Sequence, residues 1–274
     1  MFCFAVNSVI TRYLVLLSQV SPFLVTVIRF VSGMLMLLMV GGVKPEFHRD
    51  KPNLSYVVAS LFLGAYAFSI SYGYVFISVA AGTFVFYTFV VATMVAYSLI
   101  HDNERLTYRS GLGLLLGLSG VLVITFGRIH AVTMFGVLLM AATGTSWGLY
   151  SAYGRRFRVA FGYTYNSFLI LGTASVIVSV VLAVSGLLNV NHISVVDLGL
   201  ALYMGMVSTA LSYVLWNETL KKIPASVGGL VQLIVPVLAP AMGIALLGEQ
   251  LTVSLVIGGG LVLCGIYLAG TKRR

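Results

Sequence analysis

Residues 212–252 read SYVLWNETLKKIPASVGGLVQLIVPVLAPAMGIALLGEQLT. An apolar run ends at Trp216, and a short charged turn follows with Glu218, Lys221 and Lys222. Pro224 then opens a second apolar run that stops at Gly248. Two hydrophobic helices joined by a tight turn form a membrane motif, and the fold depends on whether the chain repeats it. Apolar runs of about 20 residues do recur from end to end, the length a helix needs to cross a hydrocarbon core of roughly 30 Å. The chain is 59% hydrophobic and 8% charged, with a mean hydropathy of +1.04, whereas soluble domains are about one quarter charged. Lipid leaves no partner for exposed backbone polar groups, so the runs must be helical. A barrel would need polar and apolar residues in alternation, and these runs are solidly apolar. The expected fold class is all-α, a polytopic membrane protein.

Ten spans follow from the pattern, at about 2–18, 21–40, 54–76, 81–100, 108–127, 132–153, 163–186, 196–217, 225–247 and 252–270. An even count puts both termini on one side, so alternate turns can be compared. Turns after spans 2, 4, 6 and 8 and the closing tail hold Lys44, Arg49, Lys51, Arg105, Arg109, Arg155, Arg156, Arg158, Lys221, Lys222, Lys272, Arg273 and Arg274. The opposite turns hold only Arg128, and Arg12 and Arg29 fall inside spans 1 and 2. This asymmetry supports the span count and places both termini in the cytoplasm, the chain being integral to a plasma (inner) membrane. It also explains the net charge of +9 without nucleic acid. No cleavable leader is evident at the N-terminus. Cys3 and Cys264 lie in apolar runs and lack metal-ligand spacing.

The chain also repeats itself. Glu104-Arg105-Leu106-Thr107 after span 4 matches Glu249-Gln250-Leu251-Thr252 after span 9. At the same offset Gly113 meets Gly258, Gly120 meets Gly265 and Ala80 meets Ala225, while Phe4 and Arg12 align with Trp147 and Arg155. The units are 1–128 and 129–274, five helices each. Five is odd, so the second unit enters the membrane in the opposite sense: an inverted repeat.

On these residues a family resemblance appears. LSYVLWNETLKKIPAS, VPVLAP and LLGEQLT resemble the second half of EamA-type proteins in the drug/metabolite transporter superfamily. Asn7 and Arg12 in FAVNSVITRY, Ser21-Pro22 with Arg29-Phe30, VAAGT at 79–83 and NERLT at 103–107 resemble the first half. The resemblance covers essentially the whole chain. It implies a ten-helix transporter of small metabolites, often an exporter of amino acids or related compounds, working by alternating access. The chain departs from the family in two places: Phe4 stands where a Trp is usual, and span 1 is short. Span 4 also lacks a counterpart of Pro236, since position 91 is Val.

Charge inside a membrane is costly, on the order of 3 kcal/mol per group at the bilayer centre by insertion scales, so Arg29 draws attention. Seven residues after Pro22, it lies about 10 Å deep. It is either an anchor for a substrate carboxylate or phosphate, or a structural link between helices. Arg12, nearer the outer end of span 1, is expected to reach the interface. All seven acidic residues lie in turns or at helix ends, and His48, His101, His130 and His192 are not mid-span. A carboxylate relay for proton antiport is therefore not expected.

Polar and aromatic residues fall on shared helix faces: Thr209, Ser212, Tyr213 and Trp216 in span 8; Thr143, Ser146, Trp147 and Tyr150 in span 6; Ser69 and Tyr72 in span 3. Span 4 adds Thr83 and Tyr87, span 1 Asn7 and Thr11, and span 9 Gln232. Polar faces turn inward from lipid, so these spans are expected to line one cavity. The candidate substrate-binding residues are Asn7, Arg29, Tyr72, Tyr87, Trp147, Tyr150, Trp216 and Gln232. Pro236 and Pro240 should bend span 9 and serve as a gate. Tyr74, Tyr213 and Trp216, near helix ends, also fit an interfacial aromatic belt. Glycines at 111, 113, 117, 120, 258, 259, 260 and 265 mark spans 5 and 10 as close-packing scaffold or a dimer face. No catalytic motif, cofactor or metal site is expected. The partners are a small-molecule substrate and the lipid bilayer, with no nucleic acid, for a monomer or homodimer. A non-transporting receptor and a membrane-embedded lipid enzyme are the other readings; the enzyme would need a buried acid, His or Cys cluster that the spans lack.

Overall fold

The computed structural model describes residues 1–43, 54–101, 108–126, 133–187 and 193–270. The first copy of the repeated motif, Glu104-Arg105-Leu106-Thr107, lies outside these residues. So do Lys44, Arg49, Lys51, Arg128, Lys272, Arg273 and Arg274 of the charge asymmetry, and His48, His130 and His192.

Among the described residues there are ten helical spans and no strand. They are α1 (Phe2–Leu17), α2 (Pro22–Val43), α3 (Leu54–Phe76), α4 (Val79–His101), α5 (Tyr108–Phe126), α6 (Met134–Gly154), α7 (Ala160–Val184), α8 (Val195–Leu220), α9 (225–247) and α10 (Val253–Gly270). Helices α2, α3, α4, α7 and α8 are long and apolar enough by themselves to cross a bilayer. The first helix is short, as its sequence suggests, and its last turn, Tyr13–Leu17, widens to π geometry. A second π segment, Met204–Leu211, interrupts α8, where Ser212 Oγ donates to the carbonyl of Val207 five residues back.

The surface is apolar, and polar side chains sit among apolar ones in the interior. Leu61, Leu215, Val181 and Val184 are exposed, whereas Asn7, Thr11, Arg29 and Gln232 are buried. Lipid is the solvent that makes this arrangement favourable.

Helix contacts follow the repeat. Helix α3 packs on α6 and α8 on α1; α4 packs on α6 and α9 on α1; α3 packs on α7 and α8 on α2. Exchanging each helix for the one five places away maps these pairs onto each other. The pairs α5–α10, α2–α7 and α4–α9 map onto themselves. The glycines of α5 and α10 face each other: a Cβ added at Gly120 would fall 2.8 Å from Val262 Cγ2, and one at Gly265 would fall 2.7 Å from the Gly117 nitrogen. These small residues let two backbones approach, within one chain rather than between copies.

The chain is irregular ahead of Pro236. Pro236 has no N–H for the Gln232 carbonyl, which instead takes a tighter bond from Val235 N–H, and residues Gln232–Ile234 form a 3₁₀ turn. The helix then resumes over Val235–Leu247 with Pro240 inside it. Gly248 ends it at φ +65°, a left-handed cap in which the Glu249 N–H returns to the Gly243 carbonyl at 3.3 Å.

Candidate functional site

Where α1, α3, α6 and α8 converge, aromatic rings fill the space between the two halves. Phe4 sits edge-on to three of them, with centroids 5.5 Å from Trp147, 5.8 Å from Tyr213 and 6.1 Å from Trp216. Trp147 lies 4.5 Å from Tyr213, 5.0 Å from Tyr66 and 5.7 Å from Tyr150. Edge-to-face and tilted packing of this kind suits ring quadrupoles. It also presents ring faces and edges to any ligand that enters.

Most of the polar tips are directed. Trp147 Nε1 donates to Gln232 Oε1 at 2.6 Å, joining α6 to the irregular turn of α9. Trp216 Nε1 donates to Ser151 Oγ at 3.1 Å. Tyr213 Oη donates to Tyr66 Oη at 3.0 Å, and Asn7 Nδ2 donates to the same oxygen at 3.2 Å. Arg29, fully buried, reaches α1 and α8: Nη2 donates to Thr11 Oγ1 at 2.9 Å and lies 3.3 Å from Met204 Sδ. Gly205 makes that approach possible, since a Cβ there would clash with Ser32 Oγ and fall 2.7 Å from the Arg29 carbonyl oxygen.

The structure thus brings Asn7, Arg29, Trp147, Tyr150, Trp216 and Gln232 into one connected region. Tyr87 joins it through Phe86, whose ring is 4.3 Å from Tyr87 and 5.9 Å from Tyr66. Tyr72 does not join it. It is half-buried and packs on Phe68, which is 51% exposed. The buried face of α3 instead contributes Tyr66 and Ser69, the latter accepting from Thr143 Oγ1 at 2.9 Å. The interfacial belt reading of Tyr74, Tyr213 and Trp216 is corrected, because all three are buried at 3% exposure or less. Tyr66, Phe4 and Tyr213 were legible as aromatic positions on buried faces, but helical spacing alone could not rank them above Tyr72.

A second polar cluster closes the end of the molecule where α3 turns into α4. The Glu249 carboxylate accepts from the first backbone N–H groups of α4, Val79 at 2.8 Å and Ala80 at 3.3 Å. A carboxylate at a helix N-terminus is held by unpaired N–H groups and by the helix dipole. Arg12 Nε lies 3.8 Å from Glu249 Oε1, and Arg12 Nη1 donates to the Tyr74 carbonyl. Arg12 therefore turns into the protein to meet Glu249 instead of reaching the interface. At the other end Tyr97, His101, Arg155, Arg156 and Lys221 line an open cleft of about 310 Å³. Basic residues from the ends of α6 and α8 thus gather at one end, in keeping with the charge asymmetry. Among the described residues, no cluster of His, Cys, Asp and Glu could hold a metal ion.

An all-helical chain with an apolar surface and a cluster of aromatic and polar side chains where α1, α3, α6 and α8 meet has the form of a membrane transporter. The comparisons agree. The EamA-like transporter family model matches residues 1–126 and again 134–271, and the chain belongs to that family. It is 32% identical to an uncharacterized protein of Pseudomonas aeruginosa over 100% of this chain and 92% of the relative. It is 27% identical to the uncharacterized transporter YoaV of Bacillus subtilis over 91% of this chain and 87% of that one. A probable amino-acid metabolite efflux pump of Salmonella typhimurium is 27% identical over 61% of this chain and 59% of the pump. A solved crystal structure superposes with a TM-score of 0.72 at 20% identity, covering 97% of this chain and 92% of that one, which shows the shared fold. The protein is an integral membrane transporter and not an enzyme.

Proposed function

We propose that the protein exports amino acids or related amphipathic metabolites across the plasma membrane, both termini being cytoplasmic, with residues 1–128 and 129–274 rocking about the central ring cluster. The observation that carries this reading is the cluster itself. It is a polar and aromatic centre, buried where both halves meet, with Tyr213–Tyr66 joining the halves and Trp147–Gln232 tying α6 to α9 within the second. Inverted repeats place transporter sites at such an interface. The binding residues are Asn7, Arg29, Tyr87, Trp147, Tyr150, Trp216 and Gln232, with Phe4, Tyr66 and Tyr213 added and Tyr72 left out.

In this cycle the Glu249–Arg12 clasp holds one end shut, and the 3₁₀ turn before Pro236 lets α9 flex. The relation to the Salmonella efflux pump favours amino-acid metabolites as cargo. The test is efflux from proteoliposomes loaded with a mixed pool of amino acids, organic acids and amines, read by mass spectrometry. Wild-type protein should release a subset faster than protein-free liposomes, and Trp147→Ala should reduce that release at equal folded yield. Release no faster than from protein-free liposomes would defeat the reading.

A further inference from the structure

Arg29 is a buried cation with no acidic partner among the described residues. Its Nη2 is used by Thr11 and Met204, but Nε and Nη1 have no hydrogen-bond partner among the described residues. The described acidic residues are engaged elsewhere: Glu249 with α4 and Arg12, Glu218 with Lys221, and Asp197 with Ser18 and Ser194. A structural arginine at membrane depth is normally satisfied by carboxylates or backbone carbonyls, because an uncompensated buried charge is costly. Here the same guanidinium is linked to the ring cluster through Thr11 and Asn7. Thr11 Oγ1 accepts from Arg29 and lies 2.7 Å from the Asn7 carbonyl oxygen, and Asn7 in turn donates to Tyr66.

We infer that Arg29 is the anion-binding group of this site and that the transported solutes are monocarboxylates with an apolar body, the carboxylate on Arg29 and the body against Phe4, Tyr66, Trp147 and Tyr213. The inference rests on the proposed central transport site and names its substrate class. One guanidinium neutralises one negative charge. A phosphate dianion would need a second cation, and Arg12 is already paired with Glu249, while Arg155, Arg156 and Lys221 lie in the cleft at the far end. Ring faces alone would favour a hydrophobic ammonium ion. The adjacent positive charge opposes a ligand with no anionic group, so simple amines are disfavoured.

The two tryptophans of the chain, Trp147 and Trp216, both lie in the cluster, so their fluorescence reports occupancy. Detergent-purified protein is titrated with leucine, its des-amino acid 4-methylpentanoate, the neutral 4-methylpentanamide, and inorganic phosphate. Saturable quenching by one or both carboxylates, with the amide and phosphate weaker by about tenfold or more, supports the assignment. Arg29→Gln should weaken carboxylate binding by about tenfold or more, and Arg29→Lys should keep part of it. Should Arg29→Gln fail to fold, Thr11→Val, which frees Nη2 and loosens the guanidinium, must weaken the carboxylate more than the amide. Equal binding of amide and carboxylate, unchanged binding in folded Arg29→Gln, tighter binding of phosphate, or no carboxylate binding overturns the inference. Efflux of neutral or cationic solutes by the same protein would then leave the transport reading standing without it.

Discussion

The two halves share a scaffold but not a site. Phe4 and Tyr87 in the first half occupy the places of Trp147 and Gln232 in the second, by the repeat offsets. Only the second pair makes a hydrogen bond across its half, Trp147 to Gln232 at 2.6 Å. Arg29 in the first half stands where the second has Gly172, whose missing side chain lets Met34 pack close, Sδ lying 2.7 Å from a Cβ built there. Paired helices therefore match where backbones meet, as in α5 and α10, and differ where side chains face the centre. A pseudo-two-fold scaffold suits motion between two equivalent states, while the asymmetric centre is where the proposed cargo selectivity resides.

The comparison can be broken most severely at Trp147. Trp147→Ala removes the ring that touches Phe4, Tyr66, Tyr150 and Tyr213 and the donor to Gln232, and efflux should fall by about tenfold or more. Trp147→Phe makes the second half resemble the first. It leaves Gln232 Oε1 unpaired, at a cost of about 1–3 kcal/mol in thermal stability. Adding Gln232→Leu should recover part of that loss, giving a coupling of about 1 kcal/mol in a double-mutant cycle. Strict additivity would mean the bond is not formed. Gly205→Ala forces α8 away from α2 at Arg29, with an expected loss of about 1–3 kcal/mol. Glu249→Gln weakens the clasp by about 0.5–2 kcal/mol and should speed reaction of an impermeant thiol reagent with a cysteine placed at Ser8, a buried position on α1. Tyr72→Ala should change stability and efflux least, within about 0.5 kcal/mol. A large effect there would return α3's lipid-side ring to the site.

Much of this was legible before the structure. Length, hydropathy and the one-sided basic turns defined ten spans, and the irregularity next to Pro236 followed from a missing N–H. Helical faces located Asn7, Trp147 and Gln232 because a polar group on an apolar helix must turn inward. Two things were not legible. Helical spacing puts Tyr66 and Tyr72 on different faces of α3 but does not say which face turns inward, since helix rotation is set by neighbours that spacing does not reveal. Nor could it show that Glu249, read as the end of a motif, caps α4 and draws in Arg12: that contact joins residues 170 positions apart.

The central claim is that one buried centre opens to each side in turn. Ser208, buried on α8 with its hydroxyl bonded to the Met204 carbonyl of its own helix, can be replaced by cysteine after Cys3→Ser and Cys264→Ser remove the native thiols. Labelling by an impermeant thiol reagent is then measured in right-side-out and inside-out vesicles. The account predicts reaction from both faces, slowed in both by bound substrate. Reaction from neither face, or from one face only, would contradict it.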